Sequence, residues 1–377
     1  MGSRRTRVLH VVQNLNYGGM ERVLADIVCL ADRDLFESHV LCLQYLGRYS
    51  EGLEGYAGLH LSPPLGRLSM VWPGRLIHKM RRIAPDVVHT HSGVWYKASL
   101  AARRAGVHRV VHTEHGRAHF DPWTHRVVDG LAARRTDTVV AVSDVLAEYM
   151  TRALHLRDRV RVVRNGVDTE HYRPSPDTGS VRRELGIRPE TPIVGSIGRL
   201  ERVKGYDVML RAFRLLLDGL DREPAPVLVV GGEGAERPVL ERLLADLDLG
   251  GRVHFLGWRD DLHDLHVAYT LFTLSSRSEG TSISLLEAMS AGLCPVVTDV
   301  GGNRAVLGDH LVHRLVPPEN PEALARAWRE ALSDDARRER DGALARQRVE
   351  DDFSALRMVR EYEDIYSLSL SNSQRSF

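Results

Sequence analysis

The sequence predicts an α/β protein of two domains, each a parallel sheet flanked by helices, and three observations carry that prediction. A chain of 377 residues with 43% apolar content is longer than one ordinary core organises. Apolar β-type runs alternate with helical periodicity from Arg7 onward, and the same alternation restarts at Pro192. Between the two series, at about residues 171–180, lies a polar stretch with spaced prolines, which reads as a linker.

Composition narrows the class. No run of about 18 apolar residues is present, so no segment reads as membrane-spanning. The N-terminal MGSRRTRVLHVVQNL is basic and then apolar, but Gln13 and Asn14 interrupt a short run, which reads as a first buried strand and not as a signal peptide. A net charge of +1 argues against nucleic acid as a partner. The charge is unevenly spread: residues 1–175 hold 25 Lys/Arg against 17 Asp/Glu, and 13 of the 18 histidines. A basic half suits an anionic lipid surface or a phosphorylated acceptor, and arginine-rich composition alone accounts for it equally well. Cys29, Cys42 and Cys294 have no metal-ligand spacing and lie in apolar surroundings, which predicts buried thiols in a reducing cytoplasm.

Taken in order, Arg7 to Gln13 is a β-run feeding a turn that holds Gly18 and Gly19, and Val23, Leu24, Ile27 and Leu30 then give helical spacing before a second strand, His39 to Gln44. This βαβ start raises a dinucleotide site, yet G-x-G-x-x-G is absent and Gln44 stands where an acidic residue would hold a ribose. Residues 47–74 read as a weak strand within a long loop. Pro73 to Ile83 is helical, and its RLIHKMRR segment sets basic residues around Leu76, Ile77 and Met80, a candidate interfacial face or simply a solvated one. DVVHTHSG and VVHTEHG are strands ending at His89/His91 and at His115-Gly116. Ligands gather at the carboxyl edge of parallel strands, and a metal reading of these histidines competes there, although no carboxylate or cysteine completes a ligand set. DTVVAVS (137–143) precedes a helix from Asp144, and Arg161 to Arg164 leads into Asn165-Gly166-Val167-Asp168.

In the second series, Pro192 to Gly198 is a strand whose following loop carries Arg199 and Lys204, two cations suited to a diphosphate, before a helix from Tyr206 to Leu217. Val227 to Val230 runs into a glycine-rich turn holding Gly232, and VHFLGW carries Gly257. Asp246-Leu247-Asp248 has the letters of a D-x-D motif but falls at a helix end, and it reads as chance. A β-rich run, Tyr269 to Leu274, then enters a turn closed by Glu279-Gly280. Thr281-Ser282 can cap a helix with Ile283, Leu285, Leu286 and Met289 on its apolar face, and Gly292 ends that helix. A strand, a tight loop and a helix N-terminus make an anion site. Glu287 falls at the border of the apolar stripe; alone, such a glutamate is most often solvated. Residues 321–349 are helical and charged, and Leu356 to Leu368 is a final amphipathic helix.

These motifs, in this order over nearly the whole chain, resemble the nucleotide-sugar signature of retaining GT-B glycosyltransferases of family 4. The match rests on Glu279 and Glu287 separated by seven residues, preceded by Ser-Arg-Ser and followed by Ala-Met-x-x-Gly-x-x-Pro-Val-Val, together with GGMER, the His115-Gly116 pair, NGVD with HYRPSP, and GRLERVKG. The resemblance implies that Glu287 holds the ribose hydroxyls, that Glu279 lies beside the donor sugar, and that His115 meets that sugar near the reacting carbon. It further implies that Gly18 and Gly19 let the backbone approach the donor, that Gly232 and Gly257 line the base pocket, and that Arg199 and Lys204 meet the diphosphate with the backbone around Gly280, Thr281, Ser282, Ile283 and Ser284. Two departures stand out: Ala305 occupies a position that is usually glutamate, and Thr281-Ser282 replaces the usual Phe-Gly.

The implied fold is GT-B, two Rossmann-like domains with parallel sheets facing a central cleft: an acceptor-side domain 1–172, a nucleotide-sugar domain 173–352, and a segment 353–377 whose helix returns to the first domain. The implied reaction moves a hexose from a nucleoside diphosphate, with UDP the expected carrier, to an acceptor hydroxyl with retention and without a metal or other cofactor. A glycan, a lipid-linked or a small-molecule acceptor, in surface polysaccharide or lipid-linked glycan synthesis, would be met in the cytoplasm or peripherally on the inner face of the membrane. The alternatives are a nucleotide-sugar epimerase, a catalytically silent partner of another transferase and, third, a nicotinamide-dependent oxidoreductase.

Overall fold

The computed structural model describes residues 4–16, 18–116, 123–156, 158–220 and 224–373. The chain divides into two compact units, one reaching from the N-terminus to Asn165 and taking in the chain from Ala355, the other spanning Gly166–Ser354. The second unit is tied at its own ends, where the Val167 N–H donates to Phe353 O at 2.8 Å.

The first unit is built on a seven-stranded sheet ordered β3-β2-β1-β4-β5-β6-β7. Its strands are β1 (Thr6–Asn14), β2 (Phe36–Tyr45), β3 (Gly58–Leu61), β4 (Val87–His91), β5 (Arg109–Glu114), β6 (Thr138–Ala141) and β7 (Val160–Val162). All neighbouring pairs are parallel. Successive side chains point to opposite faces, so β1 sends Leu9 and Val11 into one core and Val12 into another. In register, His10 stands opposite His89. The face that carries these two histidines is met by the C-terminal helix Ala355–Ser373, whose Tyr366 hydroxyl lies 2.7 Å from His89 Nδ1.

The second unit has a six-stranded parallel sheet ordered β10-β9-β8-β11-β12-β13. Here β8 is Ile193–Ile197, β9 Val227–Gly231, β10 Val253–Phe255, β11 Leu271–Leu274, β12 Pro295–Thr298 and β13 Leu315–Val316. Alternation again splits the strands between two cores: Ile193, Val229 and Phe272 enter one, and Val194, Leu228 and Leu271 the other. Burial on both faces is why these strands read as continuous apolar runs.

Two expectations change. The helix Gly74–Ile83 keeps Leu76, Ile77 and Met80 at 0–4% exposure, packed with Ala98, Ala101 and Ala102, so its apolar face is core and not an interfacial surface. The exposed apolar residues lie just before it, at Leu68, Met70, Val71 and Trp72. Of the thiols, Cys42 and Cys294 are buried but Cys29 is only half-buried, packed at the margin of the core that holds Val12, Leu24 and Val28, with Sγ 4.0 Å from Gly52 O.

Candidate active site

In each sheet the strand order reverses at one place, between β1 and β4 and between β8 and β11. A parallel sheet opens a crevice at the carboxyl ends of the strands at such a switch point. Several of the residues singled out from the sequence fall there: Gly18-Gly19 follows β1, Arg199 and Lys204 follow β8, and Glu279-Gly280 follows β11, whereas His115, Gly232 and Gly257 follow neighbouring strands, β5, β9 and β10.

In the second unit the loops after β8 and β11 are laced together. Ser275 Oγ donates to the carbonyls of Lys204 (3.1 Å) and Gly205 (2.8 Å). Gly205 takes φ +66°, and a Cβ there would lie 2.2 Å from Ser275 O, so only glycine allows this approach. Arg277 binds Asp207 through two 2.8 Å bonds and the Arg202 carbonyl at 2.6 Å. The lacing delivers Lys204 to the turn: its Nζ lies 2.7 Å from Glu279 Oε1, with side-chain exposures of 18% and 7%. Ser276 Oγ donates to the same carboxylate oxygen at 2.6 Å.

Ser282 caps the helix Ile283–Ser290, its Oγ accepting from Leu285 N at 3.4 Å. The opening amides of that helix thus begin beside a pair of opposite charges, and its dipole adds partial positive charge. A further loop braces the turn from outside: the Gly302 N–H donates to Gly280 O at 3.1 Å, and a Cβ on Gly301 would lie 1.7 Å from Glu279 O. This is the Val300-Gly301-Gly302-Asn303 loop, with Asn303 Nδ2 bonded to Thr298 O at 2.9 Å. Ala305 follows it and supplies no carboxylate.

Glu287 is 3% exposed in a helix whose residues Leu285 to Ser290 are all buried. The helix therefore has no solvated face for it to occupy. Its carboxylate lies 3.9 Å from Nε2 of the buried His266, whose ring nitrogens find no hydrogen-bond partner among the described residues. Gly232 and Gly257 are joined by a 2.8 Å bond from the Gly232 N–H to the Gly257 carbonyl. Gly232 packs so closely on the loop after β8 that a Cβ would reach Gly198 O at 2.0 Å. Arg199 is not brought into the cluster. Its side chain is 63% exposed and pairs with Glu201 at 2.7 Å, a contact that contributes little at that exposure.

In the first unit, Gly18 precedes the helix Gly19–Leu30 in extended backbone, and a Cβ on it would meet the Glu21 carboxylate at 2.3 Å. Tyr17, between Asn16 and this pair, lies outside the described residues. His115 follows β5, its backbone N–H donating to Ser92 Oγ at 3.3 Å, and Ser92 holds a strained φ of +39°. Its Nε2 lies 3.0 Å from His91 Nδ1, while Nδ1 is enclosed and has no partner among the described residues. Burial pushes its pKa down to about 4.

The histidine cluster is larger than strand-end reasoning finds. His10, His89 and His91 each offer a ring nitrogen within 4.8 Å of the others, a spacing that a metal ion could use. The signal for His10 was its position on β1 in the phase of Val8 and Val12, but its pairing with β4 needs the register. Ser275, Ser276, Arg277 and His266 were likewise missed as site residues, because polar residues beside a turn are common.

Among described residues no helix is long and apolar enough to cross a membrane. A family model described as Glycosyl transferases group 1 matches residues 177–348, and one described as Glycosyltransferase Family 4 matches residues 17–171. The chain is 30% identical to alpha-maltose-1-phosphate synthase of Mycobacterium tuberculosis over 311 residues, 75% of this chain and 79% of the relative. It is 25% identical to the UDP-Gal:alpha-D-GlcNAc-diphosphoundecaprenol alpha-1,3-galactosyltransferase of Escherichia coli over 96% of this chain and 97% of that one. Among solved structures, Anabaena Alr3699/HepE in complex with UDP and glucose superposes with a TM-score of 0.84 at 23% identity, covering 96% of this chain and 100% of that one.

Proposed function

The chain belongs to the glycosyltransferases of family 4, with a group 1 glycosyl transferase second half and the GT-B fold, and from that premise we propose that it moves a hexose from UDP to an acceptor hydroxyl with retention. The observation that carries the reading is the Lys204–Glu279 pair beside the Ile283–Ser290 helix N-terminus at a sheet switch point. As the sugar–phosphate bond breaks, negative charge collects on the departing diphosphate. Lys204, Arg199 freed from Glu201, and the amides of Ile283 and Ser284 stabilise it, so a divalent metal is not required. Glu279, held by Lys204 and Ser276, orients the sugar, Glu287 takes the ribose hydroxyls, and His115 meets the sugar near the reacting carbon through its imidazole or its backbone carbonyl. Gly232 and Gly257 line the base pocket, and Gly18-Gly19 lets the backbone approach the donor. Front-face displacement, with the leaving phosphate helping to deprotonate the acceptor, supplies retention. The similarity to a relative named for UDP-Gal supports the choice of UDP, and the solved structure of the same fold is a complex with UDP and glucose.

The test is a thermal-shift and turnover screen over UDP-, GDP-, ADP- and TDP-sugars, run with and without EDTA and with product configuration read by NMR. UDP-sugars should stabilise in proportion to the logarithm of their concentration, EDTA should leave turnover intact, and the anomeric configuration should be kept. Glu287→Gln should weaken UDP binding about tenfold, the cost of a charged hydrogen-bond acceptor. Unchanged UDP stabilisation in that variant sinks the ribose assignment, and donor conversion without an acceptor would favour an epimerase.

The acceptor is a lipid-linked or surface glycan in this reading, and the first unit meets the membrane at the apolar loop Leu68–Trp72. Leu68, Val71 and Trp72 are 79%, 71% and 57% exposed, and the Arg104 guanidinium stacks on Trp72 at 4.5 Å. Arg75, Arg81 and Arg82 are exposed on the helix that follows, so apolar insertion and anionic headgroup contact would act together. Replacing Leu68, Val71 and Trp72 by serine should lower binding to phosphatidylglycerol vesicles by at least about tenfold in a flotation assay. Equal retention of the variant, or equal affinity for neutral vesicles, would refute this contact.

A further inference from the structure

We propose that His10, His91 and His115 act as one hydrogen-bonded imidazole relay, in which all three rings carry the same tautomer, so that His91 and His10 set whether His115 Nδ1 donates or accepts. The proposal rests on the reading that His115 meets the sugar, and it makes His91 and His10 positioning residues for it.

The geometry is head to tail. His10 Nδ1 lies 3.3 Å from His91 Nε2, and His91 Nδ1 lies 3.0 Å from His115 Nε2. The rings lie roughly parallel, with interplanar angles of 28° and 24° at centroid separations of 5.5 and 5.3 Å. Strand register builds this line: His10 and His91 share one face of the sheet, and β4 pairs His91 with Thr113, two residues before His115. His10 and His91 are 1% exposed, and burial holds both well below the usual histidine range, so neither ring carries a second proton at neutral pH. A neutral imidazole has one N–H and one lone pair. Each contact joins a Nδ1 to a Nε2, so a donor at one contact requires a donor at the next. A ring in the opposite tautomer would set two lone pairs, or two N–H groups, face to face. The chain is therefore all Nδ1–H or all Nε2–H, and its state appears at His115 Nδ1, the enclosed atom without a partner among the described residues. Native proteins rarely leave such an atom unsatisfied without a use for it.

His89 stands outside the relay. Its Nδ1 is 2.7 Å from the Tyr366 hydroxyl and its Nε2 2.7 Å from Thr113 Oγ1. Its ring lies tilted at 36° against His91, with 4.1 Å between ring centroids, and so limits the rotation of that ring. A metal on His10, His89 and His91 would have to break these bonds and take nitrogens that the relay uses.

The experiment reads side-chain tautomers by long-range 1H–15N NMR of 15N-histidine-labelled protein, without donor, at neutral pH. One common tautomer for His10, His91 and His115 is expected; mixed tautomers, or a stoichiometric transition metal in the purified protein, would overturn the relay. This outcome needs no turnover, so a failed transferase assay leaves it standing, and mixed tautomers in an active transferase sink the relay alone. In kinetics, His10→Leu should lower kcat about tenfold with the donor KM within about twofold, the effect of leaving the buried His91 Nε2 without its hydrogen-bond partner. His10→Asn, which can still donate or accept toward His91, should restore most of the rate, whereas equal losses in the two variants would count against the relay.

Discussion

Lys204→Met should cut glycosyl transfer by at least about a hundredfold, the scale seen when one preorganised charge-stabilising donor is removed from a water-poor site. Its side chain is 18% exposed, and its Nζ lies 2.7 Å from the carboxylate of Glu279, a side chain only 7% exposed, so the ammonium is fixed before any substrate arrives. The same substitution strands Glu279 with Ser276 Oγ as its remaining side-chain donor among the described residues. An unpaired buried charge of this kind costs about 3–5 kcal/mol, and activity loss by unfolding must be separated from loss of chemistry. The double variant Lys204→Met/Glu279→Gln removes the stranded charge and should recover most of the urea midpoint while staying inactive. A single variant that retains kcat/KM within about threefold would remove Lys204 from the mechanism. Arg199→Ala should perturb stability far less, because a pair with a 63% exposed partner contributes little.

Acidification should destabilise the first unit selectively. His10, His89 and His91 are buried, and burial lowers the affinity of each for a second proton, His10 to about 3 and the others well below the ordinary value. Their neighbours include His112, His115, Thr113, Tyr362 and Tyr366, none of which carries a negative charge at neutral pH to favour the imidazolium. Unfolded histidine titrates near 6.5. Below that value the unfolded chain binds protons that the folded chain refuses, so stability is full above about pH 6.5 and falls as pH drops toward the folded values. Between pH 7 and pH 5, His10 alone withdraws about 2 kcal/mol, and His89 and His91 act in the same direction. Hydrogen exchange of β1 and β4 peptides, corrected for intrinsic rate, should show protection lost at pH 5 ahead of β8 and β9. His10→Leu should flatten that dependence. Equal pH sensitivity of the two units would disprove the account.

Much of the local structure was legible because it is written in short-range patterns. Ser282 caps its helix as a serine ahead of an apolar run does, and the buried strands of both sheets read as apolar runs because both faces are covered. The turn at Glu279-Gly280 and the lysine that meets it could be paired only through the resemblance, since 75 residues separate Lys204 from Glu279. The arginine expected beside that lysine shows the limit. Arg199 and Lys204 sit five apart in one loop, yet a short 3₁₀ turn at Arg202–Lys204 carries the lysine inward and leaves Arg199 with Glu201.

By itself, then, the sequence determined the alternation of strands and helices, the caps and glycines of the turns, the order of the motifs and hence the family. Register and packing decided the rest: that Leu76, Ile77 and Met80 face the core while Leu68 to Trp72 stand in solvent, that Glu287 is buried outright, and that His10 joins His89 and His91. The physical reason is one of range. Periodicity reports which face of an element is apolar, but what covers that face is chosen by chain returning from far away, as when Tyr366 comes to His89 across 277 residues.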